Sequence, residues 1–203
     1  MKERPILFSG AMVRAILDVR KSQTRRIVKQ NITGPNPPSG FFDWHHQKTG
    51  KWIGAHGGGM EFGKTNASSL CPYGQPGDRL WVRESMRYSK EHDNLYYAAD
   101  SQGIGVARYC DLQGKFPRKS IPSIHMPRWA SRITLEITNV RVERVRDIKE
   151  RDAIAEGASE YPLLGVNSMK TRFRYLWDSI NAARGYGWEV NPWVWVIEFR
   201  RVS

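Results

Sequence analysis

The run from Val19 to Arg26, VRKSQTRR, concentrates side chains that bind anions or take part in catalysis. It carries four cations (Arg20, Lys21, Arg25 and Arg26), two hydroxyls and one amide. Guanidinium and ammonium groups bind phosphate, and lysine and hydroxyl side chains also serve enzymes as bases and nucleophiles. The run therefore has three interpretations: a solvated basic surface, a phosphate-binding strip, or part of an active site.

The charge of the whole chain favours a polyanionic partner. Its 203 residues include 32 Lys and Arg against 20 Asp and Glu, which gives a formal net charge of +12 at pH 7. The isoelectric point is about 10.0. An excess of positive charge of this size attracts nucleic acid. RNA or a nucleoside is the expected partner, and DNA stays open as an alternative.

Cysteine use and the N-terminus indicate the compartment. Cys71 and Cys110 are the only cysteines, too few for a disulfide framework, and a reducing compartment fits them. The opening MKERPILFSG lacks the apolar stretch of a signal peptide, and no segment approaches the ~20 apolar residues of a membrane span. We expect a soluble, cytoplasmic protein with no membrane partner.

Hydrophobic periodicity predicts short elements in the first two thirds of the chain. Residues 5–8 indicate a strand, and Ser9 can cap a helix that runs to Arg20. A turn and a strand are predicted at 77–86, and a strand at NLYYAAD. The strongest strand signal is 131–145, where the apolar phase slips by one residue at Asn139 and predicts a bulge.

Two helices and a closing strand are predicted after residue 145. Asp147 followed by Glu150 suggests a capping box, and Gly157 is a natural residue to end that helix. A further helix spans about Ser168 to Ala183, with a buried stripe of Met169, Phe173, Leu176, Trp177 and Ile180. The closing strand is 191–202, where Trp193 and Trp195 alternate with two valines so that one pair faces a core.

The order of elements predicts an α+β fold in a single domain over residues 1–203. Two segments rich in Gly, Pro or polar residues, about 31–77 and 87–127, read as long insertions. The remaining strands predict a mostly antiparallel sheet curled into a small β-barrel with flanking helices.

Four segments, in this order, resemble landmarks of the ASCH family in the PUA-like superfamily: ILDVRKSQTRR, GDRLWVRE, ITNVRVERVRDIKERDAIAEG and WVWVIEF. The chain is similar to the longer ASCH proteins that phages and prophages encode, which implies a protein of the bacterial host cytoplasm. The resemblance implies a PUA-like barrel with helices packed at its mouth. It also implies that RNA or a modified nucleoside binds in a basic cleft.

The resemblance further implies a catalytic set. Small ASCH enzymes hydrolyse N4-acetylcytidine with a Lys, a Thr three residues later and a Glu near the end of a later helix, which fall here on Lys21, Thr24 and Glu156. Their motif usually has Gly two residues before the Lys, where this chain has Val19. Thr24 would be the nucleophile or hold the attacking water, and Glu156 would carry a proton to the leaving amine. Lys21 would be the base once its pKa of ~10.4 had fallen by about three units. Such an amidohydrolase needs no cofactor.

Geometry sets a condition on this set, because residues 21 and 24 point to opposite faces of a regular strand. They meet only on a helical or tight turn, so an irregular or helical segment is predicted there. Arg20, Arg25 and Arg26 are expected to contact phosphate around the set. Trp81 and Arg83 are expected to line the barrel mouth as further ligand-binding residues.

Two other patterns are weak. The possible zinc ligands His45, His46, His56 and Cys71 match no known zinc spacing, so no metal is expected. The segment GGMEFGKT from residue 58 fits a phosphate-binding loop by letters, without the strand before it and the helix after it that such a loop needs. Two alternatives to the amidohydrolase stay open: a nucleic-acid-binding module without catalysis, and a metal-independent ribonuclease using the same cleft.

Overall fold

The computed structural model describes residues 1–28, 42–46, 51–55, 71–89, 94–104, 120–161 and 165–202, with the backbone alone for 42–46 and 51–55. The strands are β1 Glu3–Leu7, β2 Gln23–Ile27, β3 Phe42–His46, β4 Lys51–Ala55, β5 Arg79–Arg83, β6 Met86–Ser89, β7 Asn94–Tyr97, β8 Ser120–Ile121, β9 Thr134–Arg144 and β10 Trp193–Arg201. The α-helices are α1 Gly10–Leu17, α2 Glu150–Ala155 and α3 Met169–Asn181. None of the helices in these ranges is long and apolar enough to cross a membrane.

A five-stranded sheet of order β1-β5-β9-β10-β2 forms the centre of the fold. Strands β1 and β5 run parallel, and the other neighbours in this sheet run antiparallel. The predicted α+β class with a mostly antiparallel sheet is confirmed. Strands β1 and β2 are the two edges of the sheet, and no ladder joins them among the described residues, so the strand pairing does not close a barrel.

Each face of the central sheet carries its own apolar core. Trp195 and Ile197 point to the core that α1 covers, while Val194 and Val196 point to the core beneath α2 and α3. Because strand β10 is buried on both faces, both of its alternating pairs contribute to a core. The sequence predicted this for one pair only.

A small sheet of β6, β7 and β8 packs on a core of its own, which includes Met86, Leu95 and Ile121. The strand predicted at NLYYAAD is β7, and it pairs with β6 as an antiparallel hairpin. Strands β3 and β4 form a separate antiparallel pair within the 31–77 segment. Most of that segment lies outside the described residues.

The phase slip predicted in the longest strand is a β-bulge. Along the ladder of β9 and β10, Asn139 pairs with Glu198 while Ile137 pairs with Phe199, so Thr138 is the extra residue. A bulge increases local twist and bends the strand. The apolar pattern therefore located this irregularity to within one residue of Asn139.

Three helix predictions differ from the structure, and the first concerns α1, which ends at Leu17 rather than at Arg20. Helix α2 begins at Glu150 rather than at Asp147, and the Lys149 amide donates to Asp152 Oδ2 at 3.3 Å. Glu150 instead accepts the amide of Met169 at 2.8 Å, at the start of α3. Ile180, predicted in the buried stripe of α3, is 46% exposed, because the short helix Ala182–Arg184 continues from α3 and Asn181 takes the inward position.

A side chain caps the start of helix α1, and backbone hydrogen bonds cap its end. The sequence predicts the first of these two caps. Ser9 caps the start, where its Oγ accepts the Met12 amide at 3.4 Å. At the end, the amide of Arg20 donates to Ala15 at 2.8 Å and that of Val19 to Ile16 at 3.1 Å, the two hydrogen bonds of a Schellman motif. Val19 holds the left-handed position with φ of 59°, which usually requires glycine.

The strain at Val19 gives a prediction. Val19 is 84% exposed, so its side chain contributes little packing to offset the cost of a β-branched residue at positive φ. We expect Val19→Gly to raise the free energy of unfolding by about 1 kcal/mol, measured by urea denaturation. Val190 is a matched control, since it is 61% exposed and lies outside the left-handed region. Val190→Gly should lower stability, and a loss of stability in Val19→Gly as well would contradict the strain.

Candidate functional site

The Schellman motif that ends α1 turns the chain so that Lys21 enters the interior. The Lys21 amide donates to the Ala15 carbonyl at 3.0 Å, beside the amide of Arg20. Strand β2 begins at Gln23, so residues 21–24 do not form one straight strand. Lys21 precedes the strand in an irregular segment, and Thr24 lies within the strand.

The Lys21 ammonium is fully buried and uses all three of its donors. Its Nζ donates to the carbonyl of Gln23 at 2.7 Å, to the carbonyl of Glu156 at 2.7 Å and to Glu156 Oε2 at 3.0 Å. The exposed fraction of its side chain is 0%. Burial lowers the pKa of Lys21 below its ordinary value, and the carboxylate of Glu156 opposes that shift.

Glu156 is the C-cap residue of α2, and the run around Lys21 covers this end of the helix. The Ser22 amide donates to the Ala155 carbonyl at 2.9 Å, next to the Glu156 carbonyl that Lys21 binds. Gly157 follows with φ of 80°, as predicted for the end of this helix. A Cβ on Gly157 would lie 3.3 Å from the Ala15 Cβ and 3.6 Å from the Lys21 Cβ. Glycine therefore allows the ends of α1 and α2 to approach Lys21 closely.

Arg25 holds the second oxygen of Glu156. Its Nη1 donates to Glu156 Oε1 at 3.2 Å and to Gln23 Oε1 at 2.7 Å. Its Nη2 donates to Glu143 Oε2 at 3.2 Å and lies 3.8 Å from Asp152 Oδ2. The Arg25 side chain is 0% exposed, so it binds internal carboxylates and presents no surface to a phosphate.

Thr24 lies on the opposite face of β2 from Arg25. It pairs with Ile197 and is 3% exposed, and its hydroxyl makes no hydrogen bond to another described residue. Arg26 shares this face, and its Cζ lies 5.2 Å from the centre of the Phe8 ring. Lys21 Nζ lies 5.5 Å from the centre of the same ring. Lys21 and Arg26 therefore meet at Phe8, on the face that carries Thr24.

The other predicted site residues lie apart from this group. Arg20 is half-exposed and forms ion pairs with Asp18 at 2.6 Å and with Glu160. Trp81 and Arg83 lie on β5, which β9 and β10 separate from β2 in the sheet. The structure thus groups Lys21, Glu156, Arg25 and Arg26 around one end of β2.

The family resemblance placed Glu156 with Lys21, but sequence reasoning did not identify Glu143 or the contact of Arg25 with Glu156. Glu143 is 118 residues from Arg25 along the chain, and Glu156 is 131 residues from it. Gln23, which orients Arg25, also went unnoticed inside the cationic run. An excess of positive charge in a short segment does not reveal carboxylates that come from a helix and a strand far away along the chain.

No group of His, Cys, Asp and Glu side chains suited to a metal ion occurs in the part of the chain that the structure describes. Cys71 is a buried free thiol, and burial raises its pKa to about 11. The side chains of His45 and His46, the whole of His56 and the segment GGMEFGKT lie outside the described residues.

No family model matches the chain, and no curated protein sequence matches it. Among solved structures, it is similar to the crystal structure of protein EF3133 from Enterococcus faecalis V583, which carries the family-model name DUF984. The sequence identity is 8% and the TM-score is 0.42, with 100% of this chain and 81% of that chain covered. At this TM-score the two proteins share only a loose likeness of fold.

The shared carboxylate gives a prediction for stability. Glu156→Gln keeps the size and one acceptor but removes the negative charge that faces the buried Lys21 and Arg25. We expect the free energy of unfolding to fall by about 3 kcal/mol or more, because a buried cation then loses its counter-ion.

The control for this substitution is Glu189→Gln. Glu189 is 70% exposed and pairs with Arg174 at 2.9 Å, so its replacement should cost less than about 1 kcal/mol. Chemical denaturation of both variants measures the difference. Equal small losses would show that Glu156 is not the counter-ion on which the cluster depends.

Proposed function

We propose that this protein hydrolyses the amide of an N4-acylated cytosine nucleoside, with Lys21, Thr24 and Glu156 as its catalytic residues. One observation carries the proposal. Lys21 Nζ, which forms a buried ion pair of 3.0 Å with Glu156, lies 5.5 Å from the Phe8 ring on the face of β2 that bears Thr24, and the Thr24 hydroxyl makes no hydrogen bond to another described residue. A hydroxyl beside a base and a proton carrier is the arrangement that acyl transfer requires.

The ion pair supplies both a base and an acid by one internal proton transfer. If Nζ of Lys21 passes a proton to Oε2 of Glu156, the pair becomes a neutral amine and a carboxylic acid. Burial lowers the pKa of Lys21, which makes its neutral amine easier to reach than that of an exposed lysine. The neutral amine can then accept a proton from Thr24.

Acylation and hydrolysis follow from that state. Thr24 Oγ1 attacks the acyl carbon while its proton passes to Lys21, and Glu156 protonates the cytosine N4 as the C–N bond breaks. This step restores the ion pair and leaves an ester on Thr24. After the same internal transfer, Lys21 takes a proton from the attacking water and Glu156 returns one to Thr24, which releases the acid.

Arg26 is the group best placed to bind the substrate on this face. Its Nη2 donates to the Leu7 carbonyl at 2.6 Å, and its Nε is buried without a hydrogen-bond partner among the described residues. Arg26 is half-buried, so part of its side chain is accessible from the surface. The acyl oxygen or a phosphate would then meet the Arg26 guanidinium.

The fold that this proposal assumes is a PUA-like barrel of the ASCH type. The order of the four sequence segments supports it. So does the hydrogen bond from Arg26 to the Leu7 carbonyl, because it joins the two edge strands β2 and β1. A sheet whose edges are bridged by a side chain is close to the curled form of a small barrel.

A second candidate function is nucleic-acid binding without catalysis. It is favoured by the complete use of the three Lys21 donors and by the burial of the Lys21 side chain. In this case Lys21 caps the end of α2 and holds the cluster together, and the excess of positive charge accounts for binding.

Incubation of the purified protein with N4-acetylcytidine tests the proposal. We expect release of cytidine and acetate, detected by chromatography. Lys21→Ala and Thr24→Ala should lower kcat/KM by at least about 100-fold, as expected when a proton-transfer group is removed. Thr24→Ser should retain part of the activity because it keeps the hydroxyl.

Ser22→Ala is the matched control, since Ser22 is exposed and its described hydrogen bonds are made by its backbone. It should behave as the native protein. Release of cytidine by Thr24→Ala at the native rate would rule out this mechanism. Absence of release, together with metal-independent cleavage of single-stranded RNA, would favour the ribonuclease.

A further inference from the structure

Strand β5 presents an aromatic and cationic face on the side of the sheet away from the α1 core. Leu80 and Val82 point inward and are 0% and 1% exposed. Arg79, Trp81 and Arg83 alternate with them and are half-buried. Trp81 therefore lies between two arginines on a rigid strand that the neighbouring strands β1 and β9 hold in place.

Two guanidinium groups flank the Trp81 ring without stacking closely on it. The Cζ atoms of Arg83 and Arg128 lie 5.2 Å and 5.9 Å from the ring centre. Elsewhere in the fold such pairs are in contact, at 4.0 Å for Arg144 on Trp193 and at 3.8 Å for Arg132 on Tyr97. The wider spacing at Trp81 leaves the ring without a closely stacked cation from these two residues.

The surroundings hold this ring and its cations in place. Arg83 Nε donates to the Met126 carbonyl at 3.2 Å, and its Nη2 donates to the Ile124 carbonyl. Arg128 is 46% exposed and pairs with Glu3 at 3.2 Å. Leu7 and Ile124 add apolar surface, with exposed fractions of 39% and 55%. A fixed aromatic ring, apolar edges and cations are thus brought together on one face.

We propose that this Trp81 surface, formed by Arg79, Trp81, Arg83 and Arg128, binds a single strand of nucleic acid. A base stacks on Trp81, and the arginines contact the flanking phosphates. Charge complementarity supports this partner, because the four residues carry three cations and the chain as a whole carries a net charge of +12. The proposal stands independently of the proposed hydrolysis, since none of these residues belongs to the Lys21 group.

Fluorescence anisotropy with labelled oligouridylate and oligodeoxythymidylate of about 12 nucleotides tests the surface. We expect Trp81→Leu to weaken binding about 10-fold through loss of stacking, while Trp81→Phe keeps most of the affinity. Arg128→Ala should weaken binding and reduce the slope of log affinity against log salt by about one. Comparison of the two oligonucleotides shows whether RNA or DNA is preferred, and neither contains an acylated base, so a failure of hydrolysis does not affect the result.

Arg174→Ala is the matched control, because Arg174 is 49% exposed and pairs with a glutamate, as Arg128 does. Arg174 lies on α3, away from β5, so its substitution should leave binding unchanged. Native affinity in Trp81→Leu, or equal losses in Arg128→Ala and Arg174→Ala, would overturn the proposal in favour of diffuse charge attraction. Equal affinity for a duplex of the same length would also overturn it. If Trp81→Leu does not fold, as judged by circular dichroism, the two arginine variants decide.

Discussion

The burial of one ammonium group organises this fold. A cation that leaves water must find acceptors for its protons, or it deprotonates. Lys21 finds three, from the start of β2 and the end of α2, and its own amide binds the end of α1. The carbonyls at both helix ends carry partial negative charge, which favours a cation between them. Two helices and a strand thus meet at a single side chain.

The local chain geometry follows from this requirement. Gly157 permits the close approach of α1 and α2, and Val19 adopts a left-handed conformation that costs about 1–2 kcal/mol. Arg25 adds a second buried cation, and Glu156, Glu143 and Asp152 balance the charge. The cluster persists because each cation has a carboxylate within reach. Strained residues and buried ion pairs are frequent at functional sites, which agrees with the proposed chemistry.

Periodicity and capping residues predicted much of the fold from sequence. The alternation in β5 and β10, the bulge near Asn139, the Ser9 cap and the end of α2 at Gly157 all depend on residues close together in the chain. The start of α2 was placed at Asp147 because Glu150 suggested a capping box, whereas Glu150 serves the next helix. The cationic run predicts a phosphate contact for Arg25, whereas its carboxylate partners lie 118 and 131 residues away along the chain. Pairing over such distances is set by sheet order, which local patterns do not encode.

Titration of Lys21 by nuclear magnetic resonance tests the central claim most directly. With the lysine Nζ and Cε isotopically labelled, and Lys21→Arg used to assign the signal, the pKa is read from the shift against pH. The account predicts a pKa below the ordinary lysine value of 10.5, since burial disfavours the ammonium. The signal of the Thr24 side chain should change with the same midpoint. A Lys21 pKa at or above 10.5 would contradict the account, because the ion pair would then be a structural clamp unable to supply a base.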